Sequence, residues 1–369
     1  MYSNCGPYAH SLNTFFSFAL PIATQFPTLM YVDRIFNPIS IIRFTLRPLL
    51  IFALYSTVVA ALYFYFEFIW LKIPWVPITL LGIALAFYVG FKNNSAYDRT
   101  WEARKIWGGI VNASRSWGAM VTGFITNDFA EEKVTETELQ AIHKRLMYRH
   151  IAWLYRLKRQ LRVLKVWEHD REVNQKYRKY IEELFPTDDP ETELQNFLHD
   201  EEIKRILSVK NGCTQLIHKQ SEDLKALKSK GLIDDFRHME MQGLLTEFYT
   251  LQGKCERIKN FPLPRLYASL SIYFVYIFIF LLPLGLLSAY SDADLPSYMI
   301  WGVIPFTMLI GWIFWMMEGA GDYTENPFEA LAFDIPMTSL TRTIEIDLRE
   351  MLGETDLPTP ITPKDGFVV

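Results

Sequence analysis

Four stretches of this chain hold no charged side chain and no histidine: Pro48 to Phe66, Ile73 to Phe91, Leu266 to Tyr290 and Leu295 to Met317. They run for 19, 19, 25 and 23 residues. A bilayer core of about 30 Å needs about 20 residues of helix, so each is long enough to span it. Core helices of soluble proteins rarely avoid charge for so long, and four such runs coincide here. Half of the residues are hydrophobic and 21% are charged, and the two kinds are segregated along the chain. The fold class expected is therefore an all-α integral membrane protein, with four transmembrane helices and a large helical cytosolic region.

The basic residues orient it. The two short loops between paired runs hold one base, Lys72, whereas the segment between runs two and three holds most of the Lys and Arg. Arg34, Arg43 and Arg47 precede run one. Excess positive charge marks the cytoplasmic side, which places both termini and the central segment there, in a multi-pass protein of the cell (inner, plasma) membrane. The chain divides into an N-terminal cytosolic or interfacial segment (1–47), helices one and two (48–91), the cytosolic region (92–265), helices three and four (266–317) and a cytosolic tail (318–369). Ser11 to Val32 is uncharged but interrupted by Pro21 and Pro27, and reads as an interfacial or packed segment. A net charge of −4 argues for no nucleic-acid partner. Cys5, Cys213 and Cys255 are far apart, form no C-x-x-C pair and are expected free and reduced.

Within the cytosolic region, Lys92 to Thr126 continues run two without a proline, so one long helix leaves the membrane. Trp101, Trp107 and Trp117 are expected near its passage through the headgroups. Further helices are predicted over 136–167, 171–184, 194–209, 214–230 and 234–254, with Gly231 as a C-cap. Their carboxylates sit among Lys and Arg at helical spacing, the pattern of solvated helix surfaces. In the tail, Ser339 to Leu352 reads as an amphipathic helix and Leu357 to Pro363 as extended chain. No enzyme signature is present: no H-E-x-x-H, no G-x-S-x-G, no phosphate loop and no dinucleotide fingerprint. Neither an enzyme nor a cofactor is expected, and no residue set reads as a metal site.

The informative pattern lies in run two. Ile83, Phe87 and Phe91 recur every four residues and share one helical face. Gly82, Ala86 and Gly90 share the adjacent face, where small residues permit close helix packing. Repeated around a symmetric ring, the bulky stripe makes an apolar constriction. Ordinary lipid-facing or packed side chains give the same spacing. No Asp, Glu, Lys, Arg or His lies inside any run, although pumps and transporters use such groups. A passive pore fits better, and one chain with four spans needs copies of itself to enclose one.

Gly82-Ile83-Ala84-Leu85-Ala86-Phe87-Tyr88-Val89-Gly90-Phe91 resembles the second membrane helix of bestrophins. Asn93-Asn94-Ser95-Ala96-Tyr97-Asp98-Arg99-Thr100-Trp101-Glu102-Ala103-Arg104, with Trp107-Gly108, resembles the stretch that follows in the bacterial branch. Cys255 to Asn260 ahead of Pro262-Leu263-Pro264 resembles that branch's approach to the third helix, and Thr341 to Gly353 its C-terminal helix. The resemblance implies a homopentamer in the lipid bilayer with one axial pore for monovalent ions. Ile83, Phe87 and Phe91 match the family's hydrophobic neck. A second constriction, the aperture, sits at a helix start in the cytosolic region, and Asn211 to Leu216 resembles that place, with Leu216 as the candidate. Animal members bind calcium through an Asn-Pro-Phe motif and a following acidic run. Asn326-Pro327-Phe328 matches the motif, but only Glu329 and Asp334 of the next six residues are acidic, so calcium control is in doubt. Animal bestrophins pass anions and bacterial relatives include cation-selective members, so the sign of the permeant ion stays open. Glu67, Asp292 and Asp294 against Lys72 suggest a net-negative outer mouth. The competing reading is a membrane-anchored cytosolic scaffold or sensor without ion conduction.

Overall fold

The computed structural model describes residues 30–31, 38–170, 172–186, 189–293, 296–331, 334–364 and 367–368. Most of the N-terminal segment expected at the interface, with Cys5, lies outside them, as does Asp294. The described residues are almost wholly helical, and four helices are long and apolar enough to cross a membrane. They are α1 (Pro38–Phe66), α2 (Trp75–Phe124), α9 (Arg265–Asp292) and α10 (Val303–Thr324). Helix α1 begins ten residues before the uncharged run, because Pro48 is accommodated inside it rather than starting it. A proline in a helix interior leaves one backbone bond unmade, and neighbouring helices in a membrane can tolerate that.

The four spans pack on one another around an apolar core of Phe52, Val59, Ile78, Leu85, Val89, Val275, Phe278, Leu282 and Val303 among others. Two close approaches set the bundle. A Cβ on Gly285 would meet Ile78 at 2.7 Å, and one on Gly82 would meet Phe278 at 3.0 Å. Only a residue without a side chain lets α9 and α2 lie this near.

Below the bundle stand α3 (Glu136–Arg162), α4 (Glu172–Leu184), α5 (Pro190–Gln195), α6 (Asp200–Ser208), α7 (Gly212–Ser229), α8 (Asp235–Asn260) and α11 (Met337–Met351). Their boundaries follow the caps. Thr135 and Glu138 form a reciprocal capping box at the start of α3. Asp189 caps α5 and Asp234 caps α8, while Gly231, at φ +72°, ends α7. The stretch expected as one helix over 194–209 is two, α5 and α6, separated by a turn. Strand β1 (Met30–Tyr31) pairs antiparallel with β2 (Phe367–Val368), bringing the first and last described residues together.

Helix α2 joins the two halves. At 50 residues it extends for about 75 Å, far beyond a bilayer. Its lower part packs on α8, α11 and α3 around a second core. Trp107 and Trp117 are fully buried in that core, so they are not headgroup anchors; Trp101 alone of the three is exposed. Not all of the charges of this lower half are solvated either. Lys158 pairs with Glu193 at 2.7 Å, Lys259 with Glu168 at 2.6 Å, and Arg149 with Glu202 and Asp223 at 2.7 Å each. All three cations are buried, and each has its carboxylate on another element.

Candidate pore

Helix α2 keeps one orientation over its full length. Leu85, Val89, Lys92, Ala96, Ala103, Ile106, Ile110, Ser114 and Val121 are buried against its own subunit. The face diametrically opposite carries Ile83, Phe87 and Phe91, whose surfaces are 52, 66 and 66% exposed. Three large apolar side chains one turn apart are thus open on a single subunit. Of the small residues on the adjacent face, Gly82 packs on Phe278, Ala86 is half-buried, and Gly90 meets nothing within 4 Å of the position of a Cβ. Gly82 is therefore the small residue of this face that a helix of the same subunit closely approaches.

Leu216 does not lie where an aperture residue must. It is 0% exposed, packed in the lower core with Cys213 and Ile217. A side chain that narrows a passage between subunits has to be open on its own subunit, and this one faces inward. Helix starts in this region offer another candidate. Phe236, in the first turn of α8, is 86% exposed. The Asp234 carboxylate accepts hydrogen bonds from the backbone N–H of Phe236 at 2.7 Å and of Arg237 at 3.0 Å, which fixes that turn. The Arg237 guanidinium reaches the Phe124 carbonyl at 3.4 Å, so the turn sits at the far end of α2. Phe91 and Phe124 are 33 residues apart on one helix, or about 50 Å. The sequence signal was Gly231-Leu232-Ile233-Asp234-Asp235-Phe236: a C-cap, an N-cap, and an aromatic ring in a first turn.

At the end of the bundle away from the lower helices, Lys72 is ion-paired with Asp292, which also accepts a hydrogen bond from Ser288 at 2.9 Å. That pairing neutralises the one base and one of the acids of the short loops between paired spans.

The acidic residues on either side of Asn326-Pro327-Phe328 hold a side-chain cation. His169 reaches Glu329 at 2.9 Å through Nδ1 and Asp322 at 3.1 Å through Nε2, and it stacks on Tyr323. Burial works against its charge, but hydrogen bonds to Asp322 and Glu329 outweigh burial and push its pKa up to about 10. Asp334 is buried, and desolvation with the nearby Glu329 pushes its carboxyl up to about 8. Among the described residues no group of three or more His, Cys, Asp or Glu converges to hold a metal. Cys213 and Cys255 are free thiols buried in the core, and burial raises both pKa values.

The family model described as bacterial/fungal bestrophin protein matches residues 30–350. A voltage-dependent anion channel-forming protein of Mesorhizobium japonicum is 28% identical over 86% of this chain and 87% of its own. A protein of the same description from Escherichia coli K12 is 26% identical over 85% of this chain and 89% of its own. The crystal structure of a bacterial bestrophin homologue from Klebsiella pneumoniae aligns with a TM-score of 0.68 and 25% identity, covering 84% of this chain and 98% of that one. With its four apolar helices and this match over most of its length, the chain belongs to the bacterial and fungal bestrophin family.

Proposed function

We propose that this protein is a subunit of a passive, homopentameric ion channel of the inner membrane, with both termini cytoplasmic and monovalent anions as the favoured ions. The observation that carries the reading is the exposed line Ile83–Phe87–Phe91, diametrically opposite the buried face of α2. Placed about a symmetry axis, it makes three apolar rings, a neck that gates by dewetting and carries no sign of charge itself. Relatives described as anion channel-forming support the choice of ion, and point to a channel rather than an enzyme. Phe236, in place of Leu216, is the aperture residue on this reading: an exposed ring at a helix start, about 50 Å further along α2.

The test is ion flux from liposomes holding the purified assembly, wild type against Ile83→Ala/Phe87→Ala/Phe91→Ala. Shortening side chains that face an aqueous axis widens a dry passage and raises flux. Shortening side chains packed in a core leaves cavities, and each Phe→Ala then costs about 3–5 kcal/mol. A well-assembled triple variant with unchanged or lower flux refutes the neck. Leu81→Ala, at an exposed position off that line, serves as the control and leaves flux unchanged.

A further inference from the structure

We propose that the neck line of α2 continues below the neck as the charge-selecting wall of the cytosolic passage, with Asp98 and Lys105 as its specificity-determining residues. The inference rests on the axial placement of α2 argued above. A helix turns about 100° per residue, so positions 94, 98, 105, 112 and 116 return to within about 20° of Phe87. Asn94, Asp98, Lys105, Asn112 and Ser116 are all exposed. The buried face runs on without rotation through Ala96, Ala103, Ile110, Ser114 and Val121. One side of a single helix is therefore apolar from Ile83 to Phe91 and polar from Asn94 to Ser116.

Most other charges along this part of α2 are engaged elsewhere, and Arg104, though exposed, stands about 100° round the helix from Phe87. Arg99 donates to the Ile258 carbonyl, Glu102 pairs with Arg257, and Arg115 pairs with Asp347 at 2.7 Å. Asp98 accepts one hydrogen bond, from the Asn94 amide at 3.3 Å, and neither Asp98 nor Lys105 has an ion-pair partner among the described residues. Tyr97 and Trp101 stack beside the line and flank it. Asp98 lies about 10 Å along the helix from Phe91, and Lys105 about 10 Å beyond it. Repeated by symmetry, each becomes a ring of like charge facing the passage. An apolar neck does not choose between anion and cation, but a charged ring at its inner mouth concentrates the counter-ion. The Asp98 ring favours cations and the Lys105 ring favours anions, so the preference is the balance of two opposed rings within about a Debye length of each other.

The experiment measures reversal potentials of the full-length assembly in planar bilayers under a sodium chloride gradient. Asp98→Asn raises the chloride-to-sodium permeability ratio about threefold, and Lys105→Gln lowers it by a similar factor. Asp98→Glu and Lys105→Arg keep the wild-type ratio, which separates charge from packing. Shifts in opposite directions support the proposal. Unmoved ratios, or shifts of the same sign, overturn it. The neck triple variant runs in the same bilayers. If its conductance rises while the charge variants leave the ratio unmoved, the neck stands and the rings fall. If its conductance does not rise, α2 does not face the axis, and both fall.

Discussion

Lys92 and Glu318 form a buried ion pair where α2 and α10 leave the apolar bundle, and Ser271 of α9 donates to the same carboxylate at 2.9 Å. Lys92 follows Phe91 directly and points the other way, into the subunit. The pair therefore ties three helices together just behind the proposed neck.

Removing one member leaves an uncompensated buried charge. Lys92→Met or Glu318→Ala alone is expected to destabilise the subunit by about 3–5 kcal/mol, whereas Lys92→Met combined with Glu318→Leu recovers much of the loss. Thermal melts of the detergent-solubilised protein check this. A double variant no better than either single one would show that the pair is not the lock described.

Leu216 and Phe236 separate stability from conduction. Leu216→Ala deletes buried atoms from the cytosolic core and is expected to cost about 2–5 kcal/mol with ion permeability unchanged. Phe236→Ala removes an exposed ring and is expected to leave the melting temperature within a degree or two while altering conductance. Single-channel recordings beside melting curves read both. The reverse pattern restores Leu216 as the aperture.

His150 gives the protein an acid-sensitive core. Its ring is buried among Trp117, Trp153 and Phe248, bonded to the Ser114 hydroxyl at 2.8 Å, and desolvation pushes its pKa down to about 3. The unfolded chain takes up this proton near pH 6.5 and the folded chain does not. Stability is full above pH 6.5 and is lost at up to about 1.4 kcal/mol per pH unit as pH falls from there toward 3. His150→Gln lowers stability at pH 7.5 but flattens the slope between pH 6.5 and 5. Melting temperatures across that range decide it; an unchanged slope in the variant would assign the acid sensitivity to other groups.

Calcium is expected to have little effect. The carboxylates beside Asn326-Pro327-Phe328 already hold the His169 imidazolium, and Asp334 is largely protonated near neutral pH. A His169 pKa raised to about 10 means that its contribution is complete below pH 6.5 and is lost as pH rises through about 10. Flux in calcium-free and micromolar-calcium buffers should agree, and His169→Ala should cost about 3 kcal/mol by leaving the buried Glu329 with Arg178, at 3.8 Å, as its remaining cation. A steep calcium response abolished by Asp334→Ala would sink this account.

Assembly has a direct measure. The purified protein should have a mass near five times the 43.2 kDa subunit by light scattering after correction for detergent. A monomer or dimer as the sole stable species would exclude an axial pore.

The sequence by itself determined the membrane class, the four spans and the bulky face of α2. Absence of charge over about 20 residues and a four-residue repeat are local facts, and a bilayer leaves a helix few alternatives. The C-cap at Gly231 was legible for the same reason, since it acts within one turn. What lay beyond one turn was not. Trp107 and Trp117 share the aromatic character of Trp101, and only the packing of α3, α8 and α11 on α2 made them core. Glu193 and Glu168 look like any surface carboxylate until Lys158 and Lys259 arrive from other helices and take them out of water. Leu216 and Phe236 both stand near helix starts, and the register of α7 against α8 turned one inward and left the other open. Burial and pairing depend on which distant segments meet, and that is settled by the tertiary packing of apolar faces, not by any residue's own neighbours in sequence.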